Sequence, residues 1–269
     1  MKIGSVKNHR SREKGSLVYP VYSRRAQGLS LGINLFPDKK TCSFDCPYCE
    51  VFPFSTGILF SLDNMEKELM LIISEIQEQN TVIKDICFSG NGEPTLSPLF
   101  PEALEKAFYV RNTLAPNVQL VLISNGTGLL SKAIFDILVD KAQAGLCIWL
   151  KIDAATAEWF KKINRAGGCD FDLLLNRIHN FSSLAPFTIQ TMLCKVDAVT
   201  PPQEEEDAWL NLVRDLASPG KLRSVQIYGK ARPSPEDPLA QAADISLLEK
   251  RALALRAVLP SPIPVEVYP

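Results

Sequence analysis

The chain has 269 residues, 46% of them apolar and 22% charged, with 29 Lys and Arg against 30 Asp and Glu for a net charge of -1. This composition can bury a full core, which excludes disorder for most of the chain, and the balanced charge excludes a polycation that binds nucleic acid with its whole surface. The length fits one large domain or two small ones, and no apolar run reaches the roughly 18 residues of a membrane span, so the cytoplasm is the expected compartment.

Residues 1–28 read as a basic arm. Through residue 40, Lys2, Lys7, Arg10, Arg12, Lys14, Arg24, Arg25, Lys39 and Lys40 stand against only Glu13 and Asp38. Residues 29–35 predict a first strand, followed by a loop over 36–57 that carries three cysteines; a loop of that length inside a compact domain usually has a job. A helix follows, with Asp63 and Glu66 in capping-box spacing and Met65, Leu69, Ile72, Ile73 and Ile76 at helical period. Residues 81–88 read as a buried strand ending at the turn Ser89-Gly90-Asn91-Gly92, then a helix over 101–112. The unit recurs: strand 118–123 ends at Ser124-Asn125-Gly126 before helix 131–144, and strand 146–152 ends at Asp153 before helical patterns from 157 and over 171–181. Strands 187–193 and 222–228 flank a helix over 203–217. A loop with three prolines over 229–238 leads to a last helix over 246–258 and a tail over 259–269.

Six strand and helix units in strict alternation, with continuous apolar strands, suit a parallel sheet covered on both faces. The expected fold class is α/β, a partial (β/α)6 TIM-type barrel over 29–258. A doubly wound Rossmann-like sheet predicts the same alternation, but no G-x-G-x-x-G follows any strand. In a parallel barrel reactive groups gather at the C-terminal ends of strands, and the polar clusters fall there: the cysteine loop, Asn91 to Pro94, Ser124 and Asn125, Asp153, Gln190, and Tyr228 to Arg232.

Seven cysteines is an odd number in a chain too long to need disulfide staples, and in a reducing compartment clustered thiols are more often metal-binding or catalytic. Cys42, Cys46 and Cys49 form C-x3-C-x2-C within TCSFDCPYCE. At this cysteine frequency chance would place that pattern about 0.005 times. Structural zinc needs a fourth ligand, and the only histidines, His9 and His179, are remote in sequence. A thioredoxin-like pair of Cys46 and Cys49 leaves Cys42 without a role and sits in a loop rather than at a helix start. Three thiolates on one loop suit a [4Fe-4S] cube with one iron left open. Cys87, Cys147 and Cys194 fall in strand runs, where cysteine behaves as a small apolar residue, and Cys169 stands apart.

This spacing, with Tyr48 before the last cysteine, resembles the signature of the radical S-adenosylmethionine (radical SAM) superfamily. The resemblance implies that SAM chelates the open iron, that an electron donor such as flavodoxin or ferredoxin reduces the cluster, and that a 5′-deoxyadenosyl radical abstracts hydrogen from a substrate. It also implies cofactor contacts at the other strand ends. Gly90-Asn91-Gly92-Glu93-Pro94 resembles the G-G-E-P segment that meets the SAM amino group, with Asn91 inserted. Ser124, Asn125, Lys151 and Asp153 resemble positions beside the SAM carboxylate or ribose, with a helix N-cap as the ordinary alternative for Asp153. Arg232 is an anion contact or a solvated loop arginine.

The stretches VYPVYSRRAQGLSLGINLFPDKKTCSFDCPYCE, FSGNGEPTLSP, ISNGT, WLKIDA and VQIYGKARPSP cover most of residues 18–235. They are similar to short iron-sulfur oxidoreductases related to the wybutosine (tRNA tricyclic base) synthases. In that group Ser23-Arg24-Arg25 precedes the first strand; the two guanidiniums suit a phosphate or carboxylate, or are solvated charges. The resemblance implies that the tricyclic-base builders need extra cluster ligands and a further C-terminal region; neither is expected here, which argues against the same reaction. Two substrate classes stay open. RNA or a nucleotide is favoured by the positive arm. A protein or small metabolite, as for a glycyl-radical activating enzyme, is favoured by the neutral total charge. A zinc-stabilised binding protein is the non-enzymatic alternative.

Overall fold

The computed structural model describes residues 16–260 and 263–269, so Lys2, Lys7, His9, Arg10, Arg12 and Lys14 of the basic arm lie outside the described residues. The described chain divides into two compact units. The first holds the residues up to Cys42, Pro53–Ser124 and Gly145–Cys147; the second holds Ser43–Phe52, Asn125–Ala144 and Ile148–Pro269.

In the first unit, β1 (Val18–Ser23) pairs antiparallel with β2 (Gly28–Ile33), and β3 (Ile83–Phe88) and β4 (Gln119–Ser124) extend the sheet in parallel. The expected first strand is therefore β2, and β1 is an addition. Pro20 hides it in the sequence, yet proline is tolerated where a strand has a neighbour on one side only, and among the described residues β1 pairs with β2 alone. Side chains alternate across the sheet. Leu31, Ile33, Ile86, Phe88, Leu120 and Leu122 are buried, and Phe88 meets Phe100 edge to face at 5.7 Å, which marks this as the helix-covered face. The opposite face is polar: Ser30 Oγ donates to the Asp85 carboxylate, and Asp85 is 3% exposed. Burial pushes Asp85 up to about 6, against the pull of Ser30 and Arg25.

Helix α1 (Leu62–Glu78) buries Met65, Leu69, Ile72, Ile73 and Ile76, the stripe read from the sequence. Its N-cap is Ser61, not Asp63. Ser61 has extended backbone angles and its side chain accepts from Asn64 N, while Asp63 sits inside the first turn, where its charge suits the helix dipole. Helix α2 (Phe100–Leu114) packs on α1 and β4.

The second unit runs α3 (Lys132–Gln143), β5 (Leu146–Lys151, from Ile148 on), α4 (Ala157–Ile163), α5 (Phe171–Leu184), β6 (Phe187–Val196), α6 (Gln203–Ala217), β7 (Leu222–Gly229), β8 (Ala240–Ala242), α7 (Ile245–Val258) and β9 (Val265–Tyr268). Strands β5, β6, β7 and β9 pair in parallel in that order, and β8 lies antiparallel on β6. The three-residue β8 and four-residue β9 fall in stretches that read as loop and tail; neither is long enough to show a period. Trp209, Phe181 and Phe187 are among the largest fully buried side chains of this unit, each stabilising the fold by roughly 1.5–3 kcal/mol. Among the described residues no helix is long and apolar enough to cross a membrane.

Candidate functional site

The first unit brings the entry to the cysteine loop against the Gly90–Pro94 turn. Thr41 N donates to Asn91 O at 2.9 Å and Glu93 N donates to Thr41 O at 2.9 Å, a one-rung parallel bridge next to Cys42. Gly92 is required there: a Cβ on it would stand 1.7 Å from Thr41 O, on a backbone with φ of +153°. The inserted Asn91 has its own work, since its side chain donates to Phe36 O at 3.1 Å. Glu93 is 3% exposed. Its Oε1 accepts from Thr95 N at 3.2 Å, Thr95 Oγ1 at 2.6 Å and Ser124 Oγ at 2.8 Å. Ser124 and Glu93 are thus brought together, and Pro94 starts the short 3-10 turn Pro94–Leu96 that Glu93 caps. Asp38 ties the far end of the loop, accepting from Ser55 Oγ, Thr56 N and Gly57 N at 2.7–3.1 Å.

In the second unit Cys46 and Cys49 are half-buried and joined by a turn, Cys49 N donating to Cys46 O at 3.0 Å. Tyr48 OH donates to Asp153 Oδ2. The same carboxylate accepts from Asn164 Nδ2 at 2.9 Å and Met192 N at 2.8 Å and pairs with Lys151 Nζ at 3.4 Å. Lys151 also donates to Tyr228 OH and lies 4.9 Å and 5.1 Å from the ring centres of Tyr48 and Tyr228. Burial alone would lower the Lys151 pKa; Asp153, Tyr228 and Cys46 outweigh it and hold the ammonium charged. Burial, then Asp153 and Cys46, push the Tyr48 phenol well up, so it stays a donor. Burial pushes the Cys46 thiol up to about 12. A thiol so placed releases its proton to solvent when a cation takes its place on the sulfur.

Asp153 does not cap α4. Thr156 does, accepting from Trp159 N at 3.2 Å, and Glu205 in turn takes Ala155 N at 2.7 Å and Thr156 N at 2.9 Å. Asn125 Nδ2 donates to Ser43 Oγ at 3.0 Å, tying the turn after β4 to the residue that follows Cys42 in the chain. Arg232 donates to Glu50, next to Cys49, as an ion pair with an 11% exposed arginine side chain, which replaces the solvated reading. Lys151, Asp153, Ile152, Asn164, Phe44 and Phe160 line a small cleft. Arg24 and Arg25 belong to the turn before β2, at the end of that strand opposite the cysteine loop, so the first unit does not bring them to Glu93.

Sequence reasoning missed Asn164 and Glu205. Each meets its partners across more than ten residues of chain, and an asparagine at a helix end reads as an ordinary cap. Among the described residues no three His, Cys, Asp or Glu are gathered as a metal-holding group. The donor set nevertheless fits an iron-sulfur cluster: three thiols, none in a disulfide and each partly accessible, within eight residues of loop. His179 is exposed, and Cys87 and Cys194 are buried in strands.

No protein-family model matches the chain. Among solved structures, a radical SAM methyltransferase from Sphaerobacter thermophilus superposes with a TM-score of 0.65 over 93% of this chain and 69% of its own, at 13% identity. The fold is that of the radical SAM enzymes. TYW1 with a lysine-pyruvate adduct bound shares the radical SAM fold with a TM-score of 0.54 over 86% of this chain and 74% of its own, at 14% identity. A UPF0026 protein of Helicobacter pylori strain J99 is 30% identical over 172 residues, 61% of this chain and 51% of its own; the chain spans about half the length of that relative. The α/β partial barrel of parallel strands read from the sequence is thus the architecture this chain shares with radical SAM structures.

Proposed function

We propose that this protein is a radical SAM enzyme that holds a [4Fe-4S] cluster through Cys42, Cys46 and Cys49 and binds S-adenosylmethionine beside it. The observation that carries the reading is the triplet of cysteines outside any disulfide in the loop after the first parallel strand, on a fold shared with radical SAM structures. When bound, the two groups supply one-electron cleavage of the sulfonium carbon-sulfur bond and a 5′-deoxyadenosyl radical, with flavodoxin or ferredoxin as electron donor and the cytoplasm as the reducing compartment.

The chain's own residues bind, orient and exclude water. Glu93, prepared by Thr95 and Ser124, would offer a carboxylate to the SAM ammonium, and Gly92 lets the turn that carries it close on Thr41. Asp153 and Asn125, which line one cleft, would hold the carboxylate or ribose of SAM. Lys151 is committed to Asp153 and the two tyrosines, so its task is to hold that carboxylate in place. Tyr48 locks the turn between Cys46 and Cys49 onto Asp153. Arg232 holds Glu50 and with it the exit of the cysteine loop.

Anaerobically reconstituted protein is expected to turn brown, to carry about four irons per chain, and to release 5′-deoxyadenosine from SAM under reductant. Cys42→Ala, Cys46→Ala and Cys49→Ala each abolish iron uptake and release. Unchanged release in all three variants refutes the reading, and zinc in place of iron turns it to the binding-protein alternative. The same assay with bulk tRNA sorts the substrate: acceleration assigns RNA, and indifference assigns a protein or small metabolite.

A further inference from the structure

Asn164 closes α4 as its C-cap and is 2% exposed. Its side-chain amide nitrogen serves two acceptors, Asp153 Oδ2 at 2.9 Å and Cys46 Sγ at 3.6 Å. Its carbonyl accepts Asp45 N–H at 3.0 Å and the Cys46 thiol at 3.7 Å. The amide is not free to turn away, because Asp153 is itself held by Met192 N and Tyr48. One residue therefore grips Cys46 and its neighbour from side chain and backbone together.

We infer that Asn164 is a positioning residue that presents Cys46 to iron and, through its N–H···S bond, sets how readily the cluster accepts an electron; this rests on the reading proposed above. On ligation Cys46 would release its S–H proton to solvent as the sulfur–iron bond forms, so the bond to the Asn164 carbonyl is lost while the amide N–H points at a sulfur that now carries charge. A hydrogen bond to a ligating sulfur favours the more negative, reduced state and so raises the reduction potential.

The test is an EPR-monitored redox titration of reconstituted wild-type, Asn164→Leu and Asn164→Ser proteins. The leucine keeps the branched outline of the side chain without a donor, and its reduction equilibrium is expected to be about tenfold less favourable, ~59 mV more negative for one electron. Serine retains a donor and recovers part of the shift. Equal potentials in wild type and Asn164→Leu, at equal iron content, overturn the inference. Should the leucine variant hold no cluster, the unsubstituted protein decides. Grown with asparagine labelled in its side-chain nitrogen, its reduced cluster is expected to show a nitrogen coupling in pulsed EPR, and absence of that coupling overturns the assignment. Failure of the wild type to take up any cluster instead sinks the underlying radical SAM reading.

Discussion

Asp85→Asn is expected to stabilise this protein at neutral pH and progressively less in acid. Asp85 is buried in the first-unit sheet, where its carboxylate accepts from the Ser30 hydroxyl. Its carboxyl ionises near 6 instead of 3.8 because burial penalises the charge more than Ser30 and Arg25 favour it. The folded pKa is raised, so the neutral form is the one folding prefers. The favourable contribution is complete below about 3.8, is lost as pH rises through about 6, and leaves a deficit of about 3 kcal/mol above that. At about pH 5 roughly half of the deficit has developed. Asparagine keeps an oxygen for the Ser30 hydroxyl and removes the ionisation. Urea unfolding of wild type and variant at about pH 7.5 and about pH 5, with m held equal, reads the gap directly. The variant should lead by up to ~3 kcal/mol at the higher pH and by about half that at the lower. A gap that is the same at both pH values, or a variant less stable at both, refutes the reasoning.

Lys151→Met leaves the Asp153 carboxylate buried without its cation, so the unfolding free energy should fall by about 3–5 kcal/mol. Lys151→Met combined with Asp153→Asn should cost less than the sum of the single changes, which a double-mutant cycle measures. Gly92→Ala drives a Cβ into Thr41 O, so the Thr41–Gly92 bridge must open at a cost of about 1–3 kcal/mol. Limited proteolysis should find the 36–57 loop cut faster, and reconstituted iron should fall. Glu205→Ala orphans the N–H groups of Ala155 and Thr156, a loss of about 1–3 kcal/mol visible as a lower Tm.

The six alternating units were legible because each carries enough residues to show its period: the α1 stripe from Met65 to Ile76 and the unbroken apolar run of β3 are cases in point. What escaped was short or punctuated. Pro20 masked β1, and β8 and β9 have too few residues to repeat anything. The cap of α1 was misplaced because Ser61 and Asp63 are both good cap residues and only backbone angles choose between them. The same division runs through the candidate site. Cys42, Cys46, Cys49 and Gly90–Pro94 are contiguous motifs and could be read in line. The grip of Asn164 on Cys46, the Lys151–Tyr228 contact and the support of Glu205 under Thr156 join residues far apart in the chain. No local pattern announces such pairs, since each partner taken alone resembles an ordinary surface or turn residue.

The single backbone rung between Thr41 and Gly92 makes one mechanical piece of two stretches fifty residues apart. Whatever stiffens the turn around Glu93 also narrows the wandering of the chain that leads to the first thiol, and the converse holds equally. By linkage, any occupant of one stretch that prefers it ordered must strengthen the hold of an occupant on the other by the same factor. Their affinities would then rise and fall as a pair, with no part of the fold needing to change shape.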